Sequence, residues 1–466
     1  MKNAFSSMWR VGGVFLLILF LFPSLDVFSE DKPEERIREL EKKIQLLTEE
    51  IQKMKSEKPT EKEDRIEEIE RRLEILAEEI QDIKSAAVVE EPTYERAFGL
   101  GPAASKVYRI NRGLSIAGYG ELAVSQFRED EDNIIDAQRL ILYAGYKFND
   151  RIIFNSEIEF EHGTTEENLD EREGSVSVEF ASLDFLINDY FNLRGGLLLV
   201  PFGIINEVHE PTTFFGVLRP DVERFVIPTT WRESGAGIFG EVSDIIPGTL
   251  SYRAYVINSL DSRGFSASGN RDARPSGNRA RFNDFAFVSR LEYDPFPGIK
   301  FGGSWFIGQT GQNERVNGEK IDGLFQMYEA DMQLLWKGLE ARALFVYSFL
   351  DDADLININN GLEGDESVGD EQFGWYVEAG YNLFSLVDWG EYLQYFAPFI
   401  RFEKFDTQKS VPAGFTRNPA NDRQTLTLGF SYKPIPQVVI KADYQRRDNE
   451  ADISSDQFNL GLGFVF

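Results

Sequence analysis

The sequence predicts an all-β fold: a 16-stranded antiparallel transmembrane β-barrel preceded by a short α-helical coiled coil. Three observations lead to this prediction. The N-terminus has the composition of an export signal, and the hydrophobic period changes from helical to two near residue 113. Beyond that point, the connections between predicted strands alternate between short and long. Together they describe an exported chain that crosses a membrane with strands.

Residues 1–29 are predicted to be a signal peptide. Lys2 and Arg10 precede an apolar stretch, 11–22. This stretch is shorter than the roughly 20 residues of a membrane-spanning helix. Pro23 ends this stretch, and the small residues before and at Ser29 predict cleavage after it. The alternative is an uncleaved anchor.

The composition limits the possible functions. The net charge of -29 argues against nucleic-acid binding, which requires a basic surface. The absence of cysteine excludes disulfides, thiolate metal sites and cysteine nucleophiles. The two histidines, His162 and His209, leave little material for a zinc site or a catalytic triad. We therefore expect no cofactor, no metal site and no enzymatic activity.

Residues 30–90 are predicted to form two short coiled-coil helices on either side of Pro59, because apolar residues recur at alternating spacings of three and four. These residues are Ile37, Leu40, Ile44, Leu47, Ile51 and Met54, then Ile66, Ile69, Leu73, Leu76, Ile80 and Ile83. A solvated amphipathic helix on another surface is the alternative, and the pattern does not fix the number of chains. Residues 91–112 are predicted to be a linker, and 113–466 the barrel.

The barrel prediction rests on alternation with a period of two. In the last segment Phe458, Leu460, Leu462, Phe464 and Phe466 share one face, and the other face is small or polar. Segments of this kind are predicted at 114–127, 136–148, 151–162, 176–187, 191–200, 235–243, 249–258, 283–293, 298–308, 323–336, 338–349, 372–383, 394–405, 423–432, 437–446 and 457–466. Connections after even-numbered segments are mostly tight and those after odd-numbered segments are longer, which is typical of bacterial outer-membrane barrels. Both barrel ends, and the coiled coil, are then periplasmic.

The second face of these strands carries charged side chains that a dry core would not tolerate. The predicted lumen wall includes Arg139, Arg253, Arg290, Arg342, Arg401, Lys441, Glu157, Glu159, Glu161, Glu329 and Asp331. A wall of this kind requires a water-filled lumen, which disfavours the alternative of a soluble β-sandwich. The competing interpretation of any single wall residue is a salt bridge that only keeps the wall polar.

The longest connection, 201–234, follows the fifth strand and is expected to fold into the lumen. Its candidate constriction residues are Arg219, Arg224, Arg232, Glu207, His209, Glu210 and Glu233, together with Asp221 and Glu223. The three arginines are the best candidates for anion contacts. Packing on a neighbouring subunit is the alternative. A second loop, 259–282, is basic and could draw anions to the mouth or contact lipopolysaccharide phosphates.

The chain resembles the phosphate-selective porin O and P family. The resemblance covers about 30–466 and rests on the N-terminal heptads, the strand pattern, 118–121, 150–162, the loop 201–233 and the terminal Phe466. It implies a homotrimer in the outer membrane, in contact with lipid and lipopolysaccharide. It also implies assembly by barrel machinery that reads Phe466, and passive diffusion of small hydrophilic solutes and ions. Selectivity for anions such as phosphate stays open, because acids outnumber bases on the predicted wall.

The alternatives to a porin are a structural protein and an enzyme. A structural tether or adhesin would use the coiled coil to grip the cell wall and the barrel as its anchor. A barrel enzyme such as a lipid hydrolase would need a serine near a histidine, and no such spacing is present around His162 or His209.

Overall fold

The computed structural model describes residues 42, 71, 96–128, 132–243, 246–386 and 395–466. The predicted signal peptide and coiled coil therefore lie outside the described residues, apart from Lys42 and Arg71. In the described part of the chain, no helix is both long enough and apolar enough to span a membrane. Residues 94–466 form one compact unit.

Sixteen of the described strands close into an antiparallel barrel, which confirms the predicted fold class. The strands are β1 Gly113–Phe127, β2 Ile134–Asn149, β3 Ile152–Glu161, β4 Ser175–Leu186, β5 Asn192–Leu199, β6 Arg232–Val242, β7 Thr249–Asn258, β8 Phe285–Phe296, β9 Ile299–Gln309, β12 Leu324–Trp336, β13 Leu339–Leu350, β14 Glu371–Tyr381, β15 Tyr395–Ser410, β16 Asp422–Ile435, β17 Val438–Asn449 and β18 Gln457–Val465. Two short strands, β10 Arg315–Val316 and β11 Glu319–Lys320, form a hairpin outside the barrel. Each barrel strand pairs with the next barrel strand along the chain, so that β9 pairs with β12. The pairing of β1 with β18 closes the barrel.

The strands are inverted relative to those of a soluble protein. In β12, Glu329 and Asp331 are buried, whereas Tyr328 and Met332 are 44% and 38% exposed. The same holds in β18, where Asn459 is buried and Phe464 is 40% exposed. Apolar side chains that face outward and charged side chains that face inward are what lipid outside and a polar lumen require.

The connections differ at the two ends of the barrel. At one end, called the short-turn end, they include tight turns at 150–151, 297–298, 337–338 and 436–437. At the opposite long-loop end they include 162–174, 200–231, 259–284 and 351–370. Two helices lie outside the barrel sheet: α1 Lys106–Arg109, before β1, and α2 Ala353–Asn360, in the loop after β13.

The segment 96–112, predicted as part of a linker, lies against the inner wall instead. Leu100, Ala103 and Ala104 are buried in a cluster with wall residues that include Tyr119 and Phe180. The hydroxyl group of Tyr108 in α1 donates a hydrogen bond to Asp184 of β4. The sequence predicted a linker because glycine and proline are frequent in this segment. In the structure, small residues such as Ala103 and Ala104 allow the segment to fit inside the barrel.

Candidate functional site

The connection between β5 and β6, residues 200–231, crosses the lumen and is called the constriction loop. Its backbone reaches β17 and β15, which lie on the opposite side of the barrel from β5. The Val217 N–H donates to Asp443 Oδ2 at 2.6 Å, and the Val222 N–H donates to Glu403 Oε2 at 3.2 Å. The predicted inward fold of this loop is therefore observed.

The two ends of the constriction loop are joined by Asn206. Its side-chain amide donates to the backbone carbonyls of Val200 and Trp231, and its Oδ1 accepts from the Trp231 N–H at 2.6 Å. Three hydrogen bonds from one buried amide fix the position of the loop as it leaves the wall. The loop ends three residues earlier than predicted, because Arg232 and Glu233 belong to β6.

One side of the constriction loop is apolar and packs on an apolar part of the inner wall. Phe202, Ile204, Val226 and Trp231 are buried in the cluster that also contains wall residues such as Phe306. The sequence analysis predicted a polar inner wall. In the structure, part of the inner wall is apolar instead. Burial of this area stabilises the loop across the lumen by the hydrophobic effect, with each large side chain contributing roughly 1.5–3 kcal/mol.

The predicted wall charges do face inward, and most are paired. Arg290 contacts Asp331 at 2.7 Å and Glu329 at 3.0 Å. The other contacts are Arg139 with Glu121 and Glu159, Arg253 with Glu207 and Glu292, and Arg342 and Arg401 with Glu378. Lys441 differs, because its Nζ donates to the backbone carbonyl of Gly216 at 2.9 Å. The salt-bridge interpretation of the wall is thus the observed one for these arginines.

The acidic residues of the constriction loop are also engaged. Glu207 contacts Arg253 at 3.0 Å, and Glu210 Oε1 accepts from the Ala103 N–H at 2.8 Å. Burial raises the pKa of Glu210 to about 7, although the backbone N–H groups of the inner segment oppose this rise. Glu210 therefore joins the loop to the segment 96–112.

His209 lies between two wall carboxylates. Its Nε2 is 3.3 Å from Glu157 Oε1 and 3.1 Å from Glu179 Oε2, and all three side chains are buried. Burial alone disfavours the imidazolium, but the two carboxylates outweigh this effect and raise the pKa of His209 to about 9. His162, by contrast, lies half-exposed at the end of β3 beside Asp136.

A cavity of about 430 Å³, called the outer cavity, lies between the constriction loop and the long-loop end. The charged residues that line it are Arg139, Arg219, Arg224, Arg271, Arg447, Asp136 and Glu161. Among the described residues, no carboxylate lies within ion-pair distance of Arg219, Arg224 or Arg271. Two buried nitrogen atoms of Arg219, Nε and one Nη, have no hydrogen-bond partner among them either.

Arg271 comes from the basic loop after β7, which turns inward. Its guanidinium group donates to the backbone carbonyls of Arg224 and Thr229, and Arg274 donates to those of Pro228 and Thr230. Burial lowers the pKa of Arg271, and the nearby guanidinium groups lower it further. The backbone carbonyls of the constriction loop thus hold several like charges close together.

A cavity of about 220 Å³, called the inner cavity, lies on the other side of the constriction loop. Its charged lining includes Arg253, Arg290, Glu207 and Glu292, together with Arg96 and, from the short-turn end, Lys300. Glu292 contacts Arg253 and Arg290, at 2.9 and 3.2 Å. The two arginines that the barrel wall contributes to this cavity are therefore neutralised by carboxylates.

One functional residue, Glu179, was missed by strict alternation. Glu179 lies at a register shift in β4, where Glu157 pairs with Phe180 and Ile158 pairs with Val178. Such a bulge allows adjacent residues to face the same side, so the period of two fails locally. Glu223, by contrast, was among the loop candidates, and its carboxylate accepts hydrogen bonds from the Tyr376 hydroxyl and from the Ile205 N–H.

Comparison with known proteins finds no protein-family model that matches the chain. An uncharacterized protein of Aquifex aeolicus strain VF5 is 37% identical over 388 residues, which are 81% of this chain and 86% of that protein.

Among solved structures, the chain is similar to outer-membrane porins. OmpT of Vibrio cholerae is 12% identical, with a TM-score of 0.47 over 77% of this chain and 98% of that chain. The outer membrane channel DcaP of Acinetobacter baumannii is 10% identical, with a TM-score of 0.48 over 76% and 97%. The anion-selective porin from Comamonas acidovorans is 12% identical, with a TM-score of 0.46 over 76% and 99%.

Proposed function

This chain belongs to the family that includes the uncharacterized Aquifex aeolicus protein, and we propose that it is an outer-membrane porin for passive diffusion of small hydrophilic solutes, with a preference for anions. The observation that carries the channel proposal is the inverted barrel. Apolar side chains face outward, whereas charged side chains line two cavities inside the barrel, an arrangement that suits a lumen entered by water and polar solutes.

The preference for anions rests on the outer cavity. Its lining has five arginines and two carboxylates, and Arg219, Arg224 and Arg271 lack carboxylate partners in the described chain. Guanidinium groups bind oxyanions with paired N–H donors, so the unpartnered nitrogen atoms of Arg219 suit an anion such as phosphate or sulfate. On the predicted wall alone, acids outnumber bases, which does not favour anions. Buried pairs such as Arg290–Asp331 cancel each other, however, so the preference depends on the arginines without carboxylate partners.

A homotrimer, contact with lipopolysaccharide and assembly by the barrel machinery are further parts of this proposal. The terminal Phe466 exchanges two backbone hydrogen bonds with Gly118, so it lies at the seam that closes the barrel. Its ring is 48% exposed, which leaves it accessible to a factor that reads the C-terminus. The tether hypothesis keeps the same barrel but requires no conduction.

The test is the reversal potential of purified protein in a planar bilayer under a potassium chloride gradient, with phosphate added as blocker. We expect discrete conductance steps and a potential of the sign set by chloride. Replacing Arg219 and Arg224 by Gln should lower the chloride-to-potassium permeability ratio at least about threefold, because charge near a constriction governs local ion concentration.

The matched control is Arg263→Gln, which removes an exposed arginine already paired with Asp261 and should leave the ratio unchanged. A cation-selective wild-type channel would contradict the preference for anions. Absence of conductance from a folded barrel would contradict the pore itself and leave the tether hypothesis.

A further inference from the structure

We propose that Glu157, Glu179 and His209 bind one divalent transition-metal ion of the Zn²⁺ type, which fastens the constriction loop to the barrel wall. One potential ligand atom from each residue lies within 4.8 Å of the others. The residues come from β3, β4 and the constriction loop, so the ion would join three separate elements. This proposal does not depend on conduction by the barrel.

The orientation of the imidazole favours a cation at Nε2. Nδ1 lies 3.0 Å from the Asn206 carbonyl, which only accepts hydrogen bonds, so Nδ1 carries the hydrogen. In the neutral ring, the lone pair of Nε2 then points at two carboxylates that are themselves acceptors. A hydrogen bond from the other ring nitrogen to a backbone carbonyl is the usual second contact of a metal-binding histidine.

Carboxylates outnumber guanidinium groups around the three residues. The contacts extend from His209 through Glu179 to Arg232, and Glu121 and Glu159 share Arg139 nearby. Arg219 is a third guanidinium group close to Glu121 and Glu179. Four carboxylates, counting Glu157, thus face three guanidinium groups, and the excess negative charge favours a cation at this part of the wall.

An unused ligand atom provides an independent indication. Glu157 is fully buried, and its Oε2 has no hydrogen-bond partner among the described residues. Burying a carboxylate oxygen without a partner costs free energy that a bound cation would offset. Glu179 is held ready on its other side, because its Oε1 accepts from the Thr230 hydroxyl at 2.7 Å.

The ligand set identifies the class of ion. One imidazole and two carboxylates suit Zn²⁺, Co²⁺ or Mn²⁺ better than the all-oxygen preference of Ca²⁺ or Mg²⁺. The sequence does not predict this site, because it has only two histidines and His209 lies far in sequence from both Glu157 and Glu179. The structure provides the missing ligands from a strand pair, one of them at the β4 bulge.

The test uses the full chain without a polyhistidine tag, treated with chelator in detergent and then titrated with Co²⁺. We expect about one tightly bound Co²⁺ per chain, a visible absorption band and one paramagnetically shifted imidazole resonance. His209→Gln should abolish all three, and Glu157→Gln should weaken binding at least about tenfold. The control His162→Gln, which removes the half-exposed histidine, should change none of them.

Each result decides the proposal. No bound Co²⁺ or Zn²⁺ in the wild-type chain would mean that only a proton occupies His209. Equal binding by His209→Gln would place the ion elsewhere, for example on the acidic loop 351–370. If His209→Gln fails to fold, the shifted resonance of the wild-type chain and the Glu157→Gln affinity still decide, and absence of both effects overturns the proposal.

Discussion

Arg253 and Arg290 on one side of the constriction loop differ from Arg219 and Arg271 on the other in what they contact. In the inner cavity, Arg253 and Arg290 lie 3.2 Å or less from carboxylates. In the outer cavity, Arg271 instead donates to backbone carbonyls, and Arg219 has nitrogen atoms without partners in the described chain. The difference shows that a count of charges along a wall does not give the selectivity of a pore. Only charges without an opposite partner are available to a passing ion.

The largest expected effect comes from removing the salt bridges of Arg290, on the inner-cavity side of the constriction loop. Arg290→Met leaves Glu292, Glu329 and Asp331 without their shared cation inside the barrel. Removing one partner of a buried ionic network typically costs about 3–5 kcal/mol, because the remaining charge is uncompensated. Urea unfolding of the barrel refolded into micelles, followed by tryptophan fluorescence, measures this free energy.

The control is Arg263→Met in the exposed pair with Asp261, where we expect a change of about 1 kcal/mol or less. Equal effects of the two substitutions would mean that the inner network is well hydrated and not buried. The contrast between the two cavities would then disappear.

A smaller effect should follow from displacing the loop that separates the cavities. A Cβ atom at Gly463 of β18 would lie 2.5 Å from the Cβ of Pro211, so Gly463→Ala must push the loop away. Overpacking of this kind typically costs about 1–3 kcal/mol. The measurement is the same urea unfolding, combined with hydrogen exchange of the constriction loop.

Gly303→Ala in β9 is the matched control, because its nearest non-neighbour atom would be 3.5 Å away. It should leave both measurements almost unchanged. A Gly463→Ala chain with unaltered exchange would show that Pro211 does not lie against β18.

The attachment of the loop should also depend on pH through Glu223. Burial raises the pKa of this carboxyl to about 7, although hydrogen bonds from Tyr376 and the Ile205 N–H oppose the rise. Because the pKa in the docked loop is higher than in the released loop, the docked state binds more protons between these two values. Docking is therefore strongest below the released value of 4.5 and weakens as pH rises toward 7.

We expect protection of the loop amides, corrected for intrinsic exchange rates, to fall at least about tenfold between pH 5 and pH 8, which corresponds to about 1.4 kcal/mol. Glu223→Gln should reduce this dependence, and the remainder is expected from Glu210, whose pKa burial also raises to about 7. A dependence of the same size in Glu223→Gln would assign it to another group.

The lipid-facing half of the fold could be predicted from the sequence because its rule is local. Phe464 and Tyr328 face outward by alternation alone, and every predicted strand segment corresponds to a barrel strand. The inward fold of the loop 200–231 was predicted, but the contacts that fill the lumen were not, because they join distant parts of the chain. Examples are Ala103 with Glu210 and Arg271 with the constriction loop. The inward position of Glu179 was hidden by the bulge in β4.

The central claim is that the constriction loop lies across the lumen against β18. The chain has no cysteine, so a disulfide between Val217→Cys and Gly461→Cys is a clean test. A Cβ atom at Gly461 would lie 3.6 Å from that of Val217, within the range of about 3.5–4.5 Å for disulfides. We predict that the doubly substituted chain oxidises to an intramolecular disulfide in the folded barrel. Two free thiols that react with maleimide under oxidising conditions would contradict the account.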